Sequence, residues 1–157
     1  MHQFLLRAAR PAQTHGLDEA QQVLAWLGRA DGWGDVRLPN EAWLRRAGRV
    51  TDTELRALYR GAAAVAIPSL HEGSGLSALE AFAAGTPVVA ASTGALPETC
   101  GDAAVMVDPL DVESIATGID EAIDRRAALI AAGRQRAEQA TWAAAAERCA
   151  TLYASLA

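Results

Sequence analysis

Ile67-Pro68-Ser69-Leu70-His71-Glu72-Gly73-Ser74-Gly75-Leu76-Ser77-Ala78-Leu79-Glu80-Ala81-Phe82-Ala83-Ala84-Gly85-Thr86-Pro87-Val88-Val89-Ala90 decides how the rest of the chain is read. It runs as a strand end, a glycine-bearing loop with one carboxylate, a helix with a second carboxylate, a Gly-Thr-Pro turn and a new strand. Open α/β folds place their ligands at that kind of junction, outside the carboxyl ends of parallel strands. A helix starting near Gly75 leaves its first backbone N–H groups without intrahelical acceptors and carries about half a positive charge there, which suits phosphate. Gly73 and Gly75 let a bulky anion approach the backbone.

Glu72 precedes the helix, and Glu80 stands eight positions further on. At 1.5 Å per residue Glu80 lies about 5 to 8 Å inside the helix, and side chains tilt back toward the N-terminus, so both acids can serve one pocket. Carboxylates accept well from vicinal hydroxyls, and a sugar nucleotide carries hydroxyls at both ends of its diphosphate. Taken singly, each glutamate reads as a solvated surface acid and the glycines as turn residues. An amide cluster with an acid on either side points instead to a sugar-nucleotide site.

Working outward, Ala62 to Ile67 and Val88 to Ala91 are short apolar runs of the kind found in buried parallel strands, and Ala104 to Val107 is a third. Helical material between them implies parallel β-α-β crossovers. Thr51-Asp52-Thr53-Glu54 is a helix N-cap signature, and Leu55, Leu58 and Tyr59 give the helix over 52–61 one apolar face. Tyr59 is read as core rather than ligand contact. Asp111 caps a helix whose set Val112, Ile115, Ala116, Ile119 and Ile123 is expected to pack on the sheet. The arginine- and alanine-rich stretch 125–139 reads as a helix with a solvated outer side. A last helix from about Thr141 is expected to bury Trp142, Ala146, Cys149, Tyr153 and Leu156. Upstream, Gly32-Trp33-Gly34-Asp35 is a turn, Trp43 sits in a loop, and the segment near 20–28 is a strand or helix.

With 157 residues the expectation is one α/β domain, an open parallel sheet with helices on both faces. A net charge of −5 argues against nucleic acid as the main partner. All 14 basic residues are arginine, so any chemistry that needs a lysine must come from another chain. Cys100 and Cys149 form no metal or disulfide signature. No apolar run approaches the roughly 20 residues of a membrane span, and the start lacks a signal-peptide pattern, so a cytoplasmic location is expected.

The pattern Pro-Ser-x-x-Glu-Gly-x-Gly-Leu-x-x-Leu-Glu-Ala-x-Ala-x-Gly-Thr-Pro-Val-Val-Ala, starting at Pro68, resembles the signature of family 4 retaining glycosyltransferases, with Glu72 and Glu80 as its paired glutamates. Further matches are Gly48-x-Val50, Asp52-x-Glu54-Leu55, Leu58-Tyr59, Gly94, Leu96-Pro97-Glu98, Val107-Asp108-Pro109 and Trp142. Residues 47–157 are well covered, while 1–46 are poorly placed. The resemblance implies the C-terminal, donor-binding domain of a two-domain, Rossmann-like glycosyltransferase that moves a hexose from a UDP- or GDP-sugar with retention. Its N-terminal acceptor domain would be absent, leaving the isolated chain inactive. A peripheral position at the inner membrane surface would come only through that domain. Glu72 would be the catalytic-site glutamate, holding hydroxyls of the transferred sugar, and Glu80 would hold the nucleotide ribose. Amides of Gly73, Ser74, Gly75 and Leu76 would face sugar and diphosphate, and the backbone near Val50 would meet the base. No metal or other cofactor is implied.

Two departures stand out. Ser74 occupies a place where the family most often has phenylalanine, which changes the sugar pocket. The family's diphosphate-gripping arginine and lysine would lie upstream of Met1, Phe4 to Ala8 reading as the middle of the helix after a missing first strand. Another alignment sets Arg10 and His15 in those places. Two other readings are a non-catalytic nucleotide-binding or interaction module and an NAD-binding domain. The second rests on Gly73-x-Gly75-x-x-Ala78, but five residues, Pro68 to Glu72, separate the strand from the first glycine where a dinucleotide fold turns at once.

Overall fold

A computed structural model describes the backbone of Phe4–Ala8, Leu24–Leu27 and Leu44–Gly48, the side chain of Ala47, and residues 50–156 in full. Strands β1 (Phe4–Ala8), β2 (Leu24–Leu27), β3 (Leu44–Gly48), β4 (Ala62–Ile67), β5 (Val88–Ala91) and β6 (Ala104–Val107) form one sheet in the order β3-β2-β1-β4-β5-β6. β4, β5 and β6 are mutually parallel, as are β2 and β3. The helix expected through Phe4–Ala8 is instead β1, antiparallel to both β2 and β4. The reason is backbone pairing. Without a neighbour on that side, β4 would present unpaired amides and carbonyls along its length, and β1 takes the inner position where a missing strand was expected. The other five strands share one direction, so the sheet keeps a single carboxyl edge. Arg10, His15, the Gly32–Asp35 turn and Trp43 lie outside the described residues.

The helices follow the sequence signals closely. α1 (Asp52–Gly61) begins with a capping box in which Glu54 N–H donates to Thr51 Oγ1 and the Glu54 carboxylate accepts from the Thr51 amide at 2.8 Å. α2 (Leu76–Ala84) lies between two left-handed glycines, Gly75 at φ 72° and Gly85 at φ 77°. α3 (Leu96–Cys100) is short, and a single 3-10 turn leads from it into β6. α4 (Val112–Asp124), α5 (Arg126–Gln139) and α6 (Trp142–Ser155) complete the chain.

Side chains alternate across the sheet as the pleat requires. Val65, Ile67, Val88 and Ala90 pack with Tyr59, Ala78, Phe82 and Leu96 from α1, α2 and α3. On the opposite face, Ala64, Ala66, Val89, Val105 and Val107 pack with Ile115, Ile119 and Ile123 of α4. Gly118 lets α4 lie directly on β6, since a side chain there would run into Val107. Val112 and Ala116, which is also exposed, do not join this set. Val112 is 81% exposed in the first turn, before the helix reaches the sheet.

The last helix departs from its sequence reading. α6 buries none of its residues, leaving Trp142 88%, Tyr153 70% and Leu156 76% exposed, and Cys149 and Ala146 are exposed as well. Its apolar period is present, but no element among the described residues covers it. No helix among the described residues is long and apolar enough to cross a membrane.

Candidate functional site

The loop 68–75 leaves β4 at the carboxyl edge and is tied down from two sides. Thr93 Oγ1 donates to Ser69 O at 2.9 Å, Ala95 N to Glu72 O at 2.9 Å, and Thr99 Oγ1 to Ser74 O at 2.9 Å. The fit is close enough to demand glycine twice. A Cβ at Gly94 (φ 60°) would stand 2.6 Å from Glu72 O, and one at Gly75 would meet Thr99 at 3.0 Å. Gly94 and Ala95, just before α3, therefore form the wall that fixes the Glu72 backbone. Sequence reasoning missed Thr93 and Thr99, because isolated threonines near turns carry no spacing signal.

Half-buried Glu72 accepts from the Gly75 amide through Oε1 at 3.3 Å, directly before α2. Its charge thus lies over the positive end of that helix. The Gly75 amide, expected to face a ligand, is engaged by Glu72 in this arrangement. Leu76 and Ser77 are the first residues of α2, ahead of the Ala78 and Leu79 amides that donate to Gly75 O, so their N–H groups have no intrahelical acceptor. Gly73 and Ser74 are exposed in the loop, and Leu76 is 45% exposed on the same rim.

Glu80 sits one turn further along α2, facing α1. The buried Tyr59 hydroxyl donates to Glu80 Oε2 at 3.1 Å, so the tyrosine read as core also touches a site residue. Burial raises the Tyr59 pKa well above the ordinary tyrosine value. The Glu80 charge and hydrogen bond add to the rise, and the nearby Ser77 hydroxyl opposes it. The phenol is therefore protonated, and a donor, across the physiological range. Between α1 and α2 runs a groove of about 460 Å³ lined by Asp52, Leu55, Arg56, Tyr59, Glu80 and Ala84. It starts two residues after Val50, which is partly buried against the core. Glu72 and the start of α2 thus lie at the carboxyl edge of the sheet, Glu80 lies one turn inside α2 on the groove, and Val50 precedes α1 without lining that groove. No group of three or more His, Cys, Asp or Glu suited to a metal occurs among the described residues.

Comparison with known proteins gives this arrangement a family. Residues 1–125 match the family of glycosyl transferases group 1. The chain is 37% identical over 130 residues to the O-antigen chain mannosyltransferase B of Escherichia coli, covering 76% of this chain and 33% of that protein. It is 45% identical over 93 residues to the D-inositol 3-phosphate glycosyltransferase of Mycolicibacterium smegmatis, covering 57% of this chain and 21% of that one. Sucrose-phosphate synthase from Thermosynechococcus elongatus superimposes with a TM-score of 0.63 at 31% identity, over 72% of this chain and 30% of that one. The chain thus spans about a third or less of the length of these relatives. It belongs to the glycosyl transferases group 1 family, as a C-terminal-type domain of the B-type, Rossmann-like fold.

Proposed function

We propose that this domain binds the nucleotide-sugar donor, a UDP- or GDP-hexose, in a glycosyl transfer that retains anomeric configuration. The observation that carries the reading is the pairing of Glu72 and Glu80 about the first turn of α2, with the Glu72 loop locked by Thr93, Gly94 and Thr99. In this reading Glu72 accepts from hydroxyls of the transferred sugar, and Glu80 accepts from the ribose. The diphosphate lies over the N-terminus of α2, near the amides of Gly73, Ser74 and Leu76, and that of Gly75 joins them once Glu72 turns from it to the sugar. The base lies in the α1–α2 groove beside Val50.

The sugar C1–O bond to the diphosphate breaks as the acceptor oxygen bonds to C1 on the same face. The acceptor proton leaves with the released nucleotide diphosphate. Unpaired amides at a helix end stabilise the negative charge that develops on that leaving group.

The acceptor and the remaining basic groups belong to a partner domain N-terminal to this one. The length of the relatives supports such a domain, as does the exposed apolar side of α6. A cytoplasmic setting, where nucleotide sugars are made, fits the same reading. The family relation and the loop of residues 68–75 between β4 and α2 favour it over NAD binding, which wants a tight turn at that point.

Titration calorimetry of the 157-residue chain with UDP, GDP and their sugars tests the donor site. Binding that is lost in Glu80→Ala is expected, and a folded chain that binds none of them contradicts the reading. Hexose transfer by the chain alone would contradict the need for a second domain.

A further inference from the structure

We propose that Tyr59 is a positioning residue of the donor site, its hydroxyl holding one oxygen of Glu80 so that the other meets the vicinal hydroxyls of the nucleotide ribose. The inference rests on the ribose role of Glu80 proposed above. Glu80 is itself exposed, and Tyr59 is the one hydrogen-bond partner of its carboxylate among the described residues. An exposed glutamate that is held by nothing samples several rotamers and must be ordered when ligand binds, at an entropic cost.

Tyr59 is well suited to remove that cost because its own place is set from outside the site. Its ring is buried with 2% exposure, and its carbonyl accepts from Thr86 Oγ1 at 2.6 Å. Thr86 belongs to the Gly-Thr-Pro turn that ends α2, and its amide donates to Ala81 O at 3.0 Å. The end of α1, the end of α2 and the carboxylate on α2 are thereby joined in one chain of contacts, from Thr86 through Tyr59 to Glu80. The raised Tyr59 pKa keeps the phenol a donor when Glu80 is ionised. The sequence signals Leu58-Tyr59, Glu80 and Gly85-Thr86-Pro87, which stand apart along the chain, meet here.

The test compares calorimetric affinities of the wild-type chain, Tyr59→Phe, Glu80→Gln and the double variant for UDP, GDP and their 2′,3′-dideoxy counterparts. Loss of a hydrogen bond to a charged or polar acceptor is expected to weaken UDP and GDP about 3- to 10-fold in Tyr59→Phe. Dideoxy affinity should be unchanged, and Tyr59→Phe should have a smaller effect in the Glu80→Gln background, where a neutral amide oxygen accepts from the phenol in place of the carboxylate. An unchanged UDP and GDP affinity in Tyr59→Phe, alongside a weakened Glu80→Gln, overturns the positioning role and leaves the ribose role standing. Equal weakening of the ribo and dideoxy ligands overturns it too, since that marks a structural effect. If Glu80→Gln weakens nothing, the ribose role of Glu80 fails first.

A second measurement needs neither ligand nor the phenylalanine variant. The chain has two tyrosines, and Tyr153 is exposed, so 13C NMR of the ring carbons distinguishes them. At pH 7 the Tyr59 Cζ resonance should move in Glu80→Gln, while that of Tyr153 stays in place. An unmoved Tyr59 Cζ resonance would show that the two groups are not in contact, and would overturn the proposal.

Discussion

Gly94 is held at a position where any side chain would displace Glu72. Its φ of 60° lies in the left-handed region, and its Cβ would press on a backbone oxygen, which has no rotamer to escape into. Strain and overpacking each cost about 1–3 kcal/mol at such sites, so Gly94→Ala should lower the urea unfolding free energy by that order. It should also weaken UDP and GDP binding, because the displaced atom belongs to Glu72. An alanine variant of full stability and full affinity would show that this wall does not fix the loop. Cys100 illustrates another residue-scale effect. Burial pushes its thiol up to about 12 from an ordinary 9.0, with the nearby Arg136 charge opposing the shift. As pH rises, the unfolded chain loses this proton first. The stabilisation is therefore complete below pH 9.0 and declines from there to about 12. Unfolding free energy measured against pH should fall across that window, and Cys100→Ala should make the fall shallower. At pH 8 a thiol reagent should label one cysteine of the native chain, exposed Cys149, and not buried Cys100.

Among the elements, α5 shows best what pattern reading missed. Its arginines read as a solvated charge run, but three of them lie at the ends of other elements. Arg126 donates to Ala63 O at 2.7 Å where α1 passes into β4, and Arg136 donates to Glu98 O at 3.3 Å at the end of α3. Arg134 stands 3.1 Å from where a Cβ of Gly85 would be, at the end of α2. A cation at a helix C-terminus is favourable because carbonyls there lack partners. Nothing in the spacing of 126, 134 and 136 announces this, since the partners come from elsewhere in the chain. By contrast, β4, α2 and β5 were legible because their apolar runs, glycine caps and turn residues are local signals. β1 was misread because Phe-Leu-Leu is compatible with strand or helix, and the vacancy beside β4 decides between them. The packing of α5 gives a direct test. Gly133 lies against the buried Phe82 ring, where a Cβ would approach to 2.6 Å. Alanine improves helix propensity by about 1 kcal/mol, but overpacking a ring with no room to turn costs about 1–3 kcal/mol. Gly133→Ala should therefore destabilise the chain in urea unfolding, and a gain in stability would mean that α5 lifts off α2 at no cost.

At the scale of the whole molecule, the decisive feature is that, among the described residues, the core closes before α6 begins. Among the described residues both faces of β4–β6 are covered by α1–α5, and the buried set ends at Leu129, with Gly133 beyond it in α5. The apolar face expected to be buried on α6 is exposed instead. A hydrophobic period states which side of a helix seeks cover, while the cover itself is a property of the tertiary fold. Exposed Trp142, Leu152, Tyr153 and Leu156 thus contribute little to the stability of this domain. A chain ending at Ala140 should unfold within about 1 kcal/mol of the full chain, as expected where only exposed groups are removed. It should bind UDP or GDP as the full chain does, since Val50, Glu72, Tyr59 and Glu80 all precede the cut. Sedimentation should show less concentration-dependent association after the cut, because a contiguous apolar surface has been removed. A loss of more than about 2 kcal/mol would place α6 against the domain in solution, a cost of the size that follows removal of buried side chains. An unchanged stability with reduced self-association would mark α6 as a surface made for contacts outside this domain.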